Sequence, residues 1–232
     1  MARPTACSPE LSRPKRWASS SSKGCSRRCT HSACCGADLA ALLFVTGNPS
    51  KLVEARRLTS SSGRVLEAVA MDLPEIQSLD MEEVLRAKAW HAWESAQRPH
   101  IPHLQVVVEE TGLELAAMNG FPGPLVKWML AAVGAEGIAR AALALGDSRA
   151  KAVCLLLWTD GERTVLARGE TAGDLVLPPR GANGFGWDPV FRPAGSALTY
   201  GELADEEKDR LGHRGQAWRA LLCQLEQEKS SQ

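Results

Sequence analysis

From residue 41 onward, short apolar runs alternate with stretches in which apolar side chains recur every three or four positions. ALLFVTGN (41–48) has the pattern of a buried strand closed by Gly-Asn. PSKLVEARRLTSS (49–61) places Leu52, Ala55 and Leu58 at helical spacing, and Pro49 suits a first helical turn. RVLEAVAM (64–71) predicts a second strand. MEEVLRAKAWHAWESA (81–96) predicts a helix with Val84, Leu85, Ala89 and Ala92 on its inner face. LQVVVEET (104–111) is the most buried-looking strand, and it ends in acids.

PLVKWMLAAVG (124–134) and EGIARAALALG (136–146) predict two helices. Residues 150–177 predict two antiparallel strands around Asp160-Gly161, running on into a third. DEEKDRLGHRGQAWRALLCQLEQ (205–227) predicts a closing helix interrupted near Gly212. Strand–helix units followed by a long hairpin give an α/β fold with a mixed sheet. There is no internal repeat.

Composition narrows the class. The chain has 232 residues, 44% hydrophobic and 23% charged, as a globular protein should. It contains no run of eighteen apolar residues, so no membrane partner is expected. Charge and cysteine are uneven. Residues 1–38 hold seven of the 27 Lys/Arg, two of the 27 Asp/Glu and five of the seven Cys. The remaining chain is net acidic, which argues against a stable nucleic-acid partner. Residues 1–38 therefore read as a disordered or targeting-like extension, or as a misassigned start, preceding one domain at 39–229. Cys25, Cys29, His31, Cys34 and Cys35 in that extension match no zinc spacing. Cys154 and Cys223 sit in apolar runs and read as buried thiols of a reducing compartment, which places the protein in the cytoplasm unless residues 1–38 target an organelle.

Five stretches could carry chemistry. Thr46-Gly47-Asn48-Pro49-Ser50-Lys51 brings N–H groups, a hydroxyl and an ammonium to a helix start, an anion site in principle; the alternative is a plain β–α turn with a solvated lysine. Glu109 and Glu110 end a strand, and Glu75 lies in an extended segment; carboxylates from separate segments suit Mg²⁺ beside phosphate, or they are simply a polar strand end. NGFPGPLVKW (119–128) puts Lys127 after a Pro-Gly-Pro loop, where it is either site-facing or solvated. Lys208, His213 and Arg214 surround a Gly break and offer donors to phosphate or to a purine oxygen, or form a solvated face. In ANGFGWDPVF (182–191), Phe185 could stack on a base, and Asp188 could accept from a base edge; otherwise Phe185 and Trp187 tuck into the core.

The order of these stretches is more telling than any one of them. TGNPSK (46–51), DLPEIQ (72–77), VEETGLE (108–114), GFPGPLVKW (120–128), RGANGFGWDP (180–189) and EEKDRLGHRGQAW (206–218) together resemble the inosine triphosphate pyrophosphatase, or Ham1-like, family, from about Ala41 to Leu225. The resemblance implies an elongated mixed sheet flanked by helices in two lobes, with the nucleotide cleft between them. It implies a homodimer that hydrolyses ITP, dITP and XTP to the monophosphate and pyrophosphate with Mg²⁺, or Mn²⁺ in its place.

It also implies roles. Lys51, with Thr46, Gly47 and Asn48, would hold phosphates. Glu75 and Glu110 would serve the metal and the water, with Glu110, Lys51 and Glu75 as the catalytic set. Lys88, Thr111, Lys127 and Lys208 would face the nucleotide. Phe185, Gly186, Trp187 and Asp188 would form the nucleoside pocket, and His213 and Arg214 would read the 6-oxo group. Two positions depart from the family: Glu110 stands where Asp is usual, and Gly212 where Ser is usual. These departures motivate a second reading, a nucleotide-binding relative with weakened catalysis.

Overall fold

The computed structural model describes residues 41–96 and 104–230, all within one compact unit of the chain. The expectations for residues 1–38 lie outside the described residues.

Seven strands form one sheet: β1 (Leu42–Val45), β2 (Leu66–Val69), β3 (Gln105–Leu115), β4 (Pro122–Gly123), β5 (Arg149–Thr159), β6 (Thr164–Leu175) and β7 (Phe191–Pro193). Among the described residues five α-helices accompany them: α1 (Pro49–Thr59), α2 (Met81–Ala96), α3 (Val126–Ala144), α4 (Asp205–Leu211) and α5 (His213–Ser230). The strand order is β2-β1-β3-β5-β6-β7, with β4 paired to β3. β2, β1 and β3 are parallel, joined through α1 and α2, because parallel neighbours need crossover connections. From β3 onward every pairing is antiparallel.

Period-2 alternation divides the sheet's side chains between two faces. One face packs Phe44, Val107, Leu156 and Trp158 against Ala217, Trp218 and Leu221 of α5. The other packs Val106, Val108 and Leu155 against Met81, Leu85, Ala89 and Ala92 of α2. Farther along the first face, Leu113, Leu115 and Ala152 meet Ile138, Ala139 and Ala142 of α3. The corresponding stretch of the second face carries Glu114, Lys151 and Glu170, with Lys151 3.0 Å from Glu114 and 3.5 Å from Glu170.

The periodicity reading holds for the parallel half. α2 spans the predicted residues, and its predicted inner positions are buried. The pair of helices expected over 124–146 is present: α3 is two helical stretches that meet at Gly134, whose angles (φ 69°, ψ 174°) are not helical. The expected third strand of the hairpin region is absent as a separate element. β6 runs unbroken for 12 residues, because its glycines allow close approach rather than ending the strand. A Cβ at Gly169 would lie 2.0 Å from the His213 carbonyl oxygen of α5, and one at Gly173 would lie 2.3 Å from that of Arg192 in β7. Of the two cysteines expected inside, Cys154 is buried in β5, whereas Cys223 is exposed on α5, on the helix face turned away from the sheet.

Candidate active site

β1 is four residues long and β3 eleven, so β3 outruns it. β1 pairs only as far as Val45 with Val108, and β4 begins pairing at Leu113. Glu109, Glu110, Thr111 and Gly112 therefore face a gap beyond the carboxyl end of a parallel strand, where open α/β sheets bind ligands. At the gap's edge the chain leaves β1 through Thr46-Gly47-Asn48 into α1.

Asn48 caps α1. Its Oδ1 accepts from the N–H groups of Ser50 (2.9 Å) and Lys51 (3.3 Å), while Thr46 Oγ1 accepts from Asn48 N–H (3.1 Å). Amides that the sequence suggested for an anion are thus engaged by the cap. The cationic group at this helix start is the partly exposed Lys51 ammonium, 3.2 Å from Glu109 Oε1.

Glu109 is the hub of a buried ionic cluster. Both its oxygens accept from Arg214 Nε, at 3.1 and 3.2 Å, and Thr111 Oγ1 donates to Oε1 at 2.7 Å. Glu54, one turn beyond Lys51 on α1, bridges two cations: Oε1 lies 2.7 Å from Lys208 Nζ, and Oε2 accepts from Arg214 Nη1. Lys208 also reaches Asp188 Oδ2 at 2.7 Å, and that oxygen accepts the Phe185 N–H. A Cβ at Gly184 would lie 2.1 Å from the same oxygen, so only glycine lets this loop close over Asp188. Asp188 is thus an internal anchor of the loop and of Lys208.

The charges tune one another. Burial pushes Glu109 up, but Arg214, Lys51 and the Thr111 hydroxyl outweigh it and hold the carboxyl at about 2. Glu54 is likewise held below its ordinary range by Arg214 and Lys208 against the effect of burial. Asp188 goes the other way: burial raises it despite Lys208, and Glu54, sharing that ammonium, adds to the rise. Burial, with Arg214 and Lys208 beside it, drives His213 well below its ordinary value, so the ring is neutral. Both its nitrogens are buried without a partner among the described residues, and the Tyr200 ring stacks on it at 5.9 Å.

On the other face of β3 lies a second group. Lys88 of α2 donates to Glu110 Oε2 and lies 3.6 Å from Glu75 Oε1. Lys127, in the first turn of α3, donates to Glu75 Oε2 at 3.0 Å. Burial opposes the charge on Lys88, but Glu110 and Glu75 more than compensate and raise it.

Phe185 sits over the cations of the first group, its ring centroid 5.2 Å from Lys208 Nζ and 5.3 Å from Arg214 Cζ. Trp187 packs against the core beneath α3, with its indole N–H unpartnered among the described residues. Gly47 lies in the open, with nothing within 4 Å of where a Cβ would stand, and at Gly186 (φ 67°) a Cβ would meet only Leu130, at 3.5 Å. Gly212 has ordinary extended angles (φ −74°, ψ 154°), but a Cβ there would lie 2.5 Å from the Lys208 carbonyl oxygen. The α4–α5 junction is accordingly drawn tighter than a serine permits without a shift.

The structure thus gathers Lys51, Thr111, Phe185, Asp188, Lys208, His213 and Arg214 into one group, and Glu75, Lys88, Glu110 and Lys127 into another, divided by β3. Sequence reasoning passed over Glu54 and gave Glu109 no role of its own. An acid one helical turn after a site lysine was a usable signal for Glu54. Glu109's pairing could not be read from spacing, because Arg214 lies 105 residues away.

The fold and these groups define an α/β protein with two charged clusters on opposite faces of β3, beyond the point where its pairing with the parallel strand β1 ends. The chain belongs to the Ham1 family, whose model matches residues 42–224. It is 39% identical over 193 residues to the inosine triphosphate pyrophosphatase of Schizosaccharomyces pombe, covering 83% of this chain and 98% of that protein. It is 37% identical over 177 residues to the dITP/XTP pyrophosphatase of Methanopyrus kandleri, covering 76% and 91%. The structure of a HAM1 protein from Coxiella burnetii superposes with a TM-score of 0.65 at 26% identity, covering 81% of this chain and all (100%) of that one. No helix among the described residues is long and apolar enough to cross a membrane.

Proposed function

We propose that this chain hydrolyses the non-canonical purine nucleoside triphosphates ITP, dITP and XTP to the monophosphate and pyrophosphate. The observation that carries this reading is His213: a buried, neutral ring with two nitrogens unpartnered among the described residues, next in sequence to Arg214, whose guanidinium lies 5.3 Å from the Phe185 ring centroid. Buried polar groups ordinarily have partners, so this ring suits a ligand edge. A neutral imidazole N–H and a guanidinium both donate. They complement the 6-oxo acceptor of hypoxanthine and xanthine and oppose the 6-amino group of adenine.

Water attacks the α-phosphorus, the bond from that phosphorus to the bridging oxygen breaks, and pyrophosphate leaves. Glu110 orients the water and takes its proton. Lys51, with Thr46, Gly47 and Asn48, holds phosphate oxygens, as does Lys127, and Lys208 faces the nucleotide beside Phe185. Lys88 fixes the Glu110 carboxylate. Phe185 stacks on the base, and Gly186, Trp187 and Thr111 border the nucleoside.

Among the described residues no three His, Cys, Asp or Glu side chains are grouped to hold a metal. Two carboxylates, Glu75 and Glu110, converge on the Lys88 ammonium, so they already face a common cation position. That donor set fits Mg²⁺ or Mn²⁺, which bind through one or two carboxylates together with substrate phosphates. When bound, the metal neutralises charge on the phosphates. On the same reading the enzyme is a cytoplasmic homodimer.

Pyrophosphate release with Mg²⁺, comparing ITP and XTP with ATP and GTP, tests the proposal. Release from ITP and XTP with little from ATP supports it; GTP, whose guanine shares the 6-oxo group, reports separately on whether a 2-amino group is accepted. Tight ITP binding without release would replace it with the nucleotide-binding reading that Glu110 and Gly212 raise.

A further inference from the structure

One stripe of α1 reaches three elements. Lys51, Glu54 and Arg57 follow one another at about one helical turn, where side chains are neighbours. Lys51 meets Glu109 of β3, and Glu54 meets Lys208 and Arg214. Arg57 turns outward and grips α4. Its Nε and Nη2 donate to the two oxygens of Asp209 at 2.8 and 3.1 Å, and its Nη1 lies 2.9 Å from Asp205 Oδ2.

α4 needs such a grip. It has seven residues and no side-chain cap at its start, too short to hold its own shape. Its inner face carries only Lys208 into the buried cluster. Its outer face carries Asp205 and Asp209, and its last carbonyls are capped by Arg219, which donates to those of Asp209 and Arg210 at 2.8 Å each. A Cβ at Gly215 would lie 1.7 Å from the Asp209 carbonyl oxygen, so glycine there lets α4 seat closely on α5. The fork-to-fork pairing of Arg57 with Asp209 has directional strength that an ordinary surface ion pair lacks. A groove of about 1010 Å³ is lined by Arg57 and Asp209 themselves and by none of the candidate site residues.

We propose that Arg57 is a positioning residue for the reaction. It latches α4 to α1 and so fixes Lys208 and, through Gly212, His213 and Arg214 at the base-reading end of the site. This rests on the pyrophosphatase reading above. Discrimination between an oxo and an amino group depends on donors held within tenths of an ångström, and a loosened α4 lets them follow either base. Lys88, Glu110 and Lys127 lie on other elements, and Lys51, though on α1, is tied to Glu109 of β3 rather than to α4.

The test is steady-state pyrophosphate release from ITP and ATP by the full chain, carrying Arg57→Gln, Arg57→Lys or Asp209→Asn. Arg57→Gln should raise KM for ITP about tenfold and lower the ITP-to-ATP ratio of kcat/KM by about tenfold, with kcat changed by less than about twofold. Arg57→Lys should recover part of the loss, and Asp209→Asn should reproduce it. Unchanged KM and ratio overturn the latch. So does a fall in activity on both nucleotides that merely tracks the folded fraction. If the unaltered protein releases no pyrophosphate from ITP, the pyrophosphatase reading fails while the latch stays readable. Amide exchange in α4 should then be about tenfold faster in Arg57→Gln than in the unaltered protein, with α2 unchanged. Equal α4 exchange in the two proteins overturns it.

Discussion

Glu109 and Glu110 are consecutive in sequence and lie on opposite faces of β3, each paired with different cations. Successive strand residues point to opposite sides, so one dipeptide serves two charge clusters. Their substitutions should separate. Glu109→Gln leaves Arg214 buried with less compensation and should destabilise the fold by about 3–5 kcal/mol, read by urea unfolding. Glu110→Gln should lower stability by only about 1–2 kcal/mol. It should cut pyrophosphate release at least about 100-fold.

Gly169 is where β6 touches the start of α5. A methyl group there would lie 2.0 Å from the His213 carbonyl oxygen and 2.5 Å from the Ala217 nitrogen, both backbone atoms. Gly169→Ala should therefore cost about 1–3 kcal/mol or more, as overpacking does, and should displace His213 as well. Thermal unfolding reads the first effect, and weakened ITP binding by calorimetry reads the second.

Acid should destabilise the fold in two stages. His213 is depressed in the folded state by burial, Arg214, Lys208 and Lys51, against Glu109, and it stacks on neutral Tyr200. The unfolded chain therefore takes up this proton first, and stability falls as pH drops below the ordinary histidine value of 6.5. The slope approaches about 1.4 kcal/mol per pH unit for one proton, and His213→Gln should flatten it. Glu109 is also depressed, so its contribution is intact above 4.5 and is lost as pH falls towards about 2. That loss is on the order of 3 kcal/mol. Asp188, raised in the folded state, has the opposite sign and offsets part of it. Urea unfolding from pH 7.5 to pH 3 measures the sum.

Glu75 is the more exposed of the two proposed metal carboxylates, and Lys127 and Lys88 hold it below its ordinary range against the effect of burial. Glu75→Gln should raise the Mg²⁺ concentration giving half-maximal rate by about tenfold or more, with unfolding midpoints nearly unchanged. A Mg²⁺ titration of pyrophosphate release checks this. Chelation of the metal should abolish release and be reversed by adding Mg²⁺ back.

Much of this architecture was legible along the chain. The apolar runs and three-to-four spacing located β1, α1, β2 and α2, and the glycine at 212 marked the break between α4 and α5, because local backbone preference and one buried face determine such elements. The hairpin region was read with one strand too many, since Gly169 and Gly173 look like strand breakers until α5 and β7 are seen pressed against them. Site residue types were legible as well: lysines, acids and aromatics in a recurring order. Their pairings were not. That Glu54 would bridge Lys208 and Arg214, 154 and 160 residues away, depends on α1 lying across α4 and α5. Likewise the pairing of Asp188 with Lys208, 20 residues away, was not legible along the chain. Elements and the inventory of charges are properties of neighbours along the chain, and the order of residues was enough to settle them. Which charges meet, and which ring is left without a partner, was settled by packing. Those outcomes depend on distances between segments that only the folded sheet brings together.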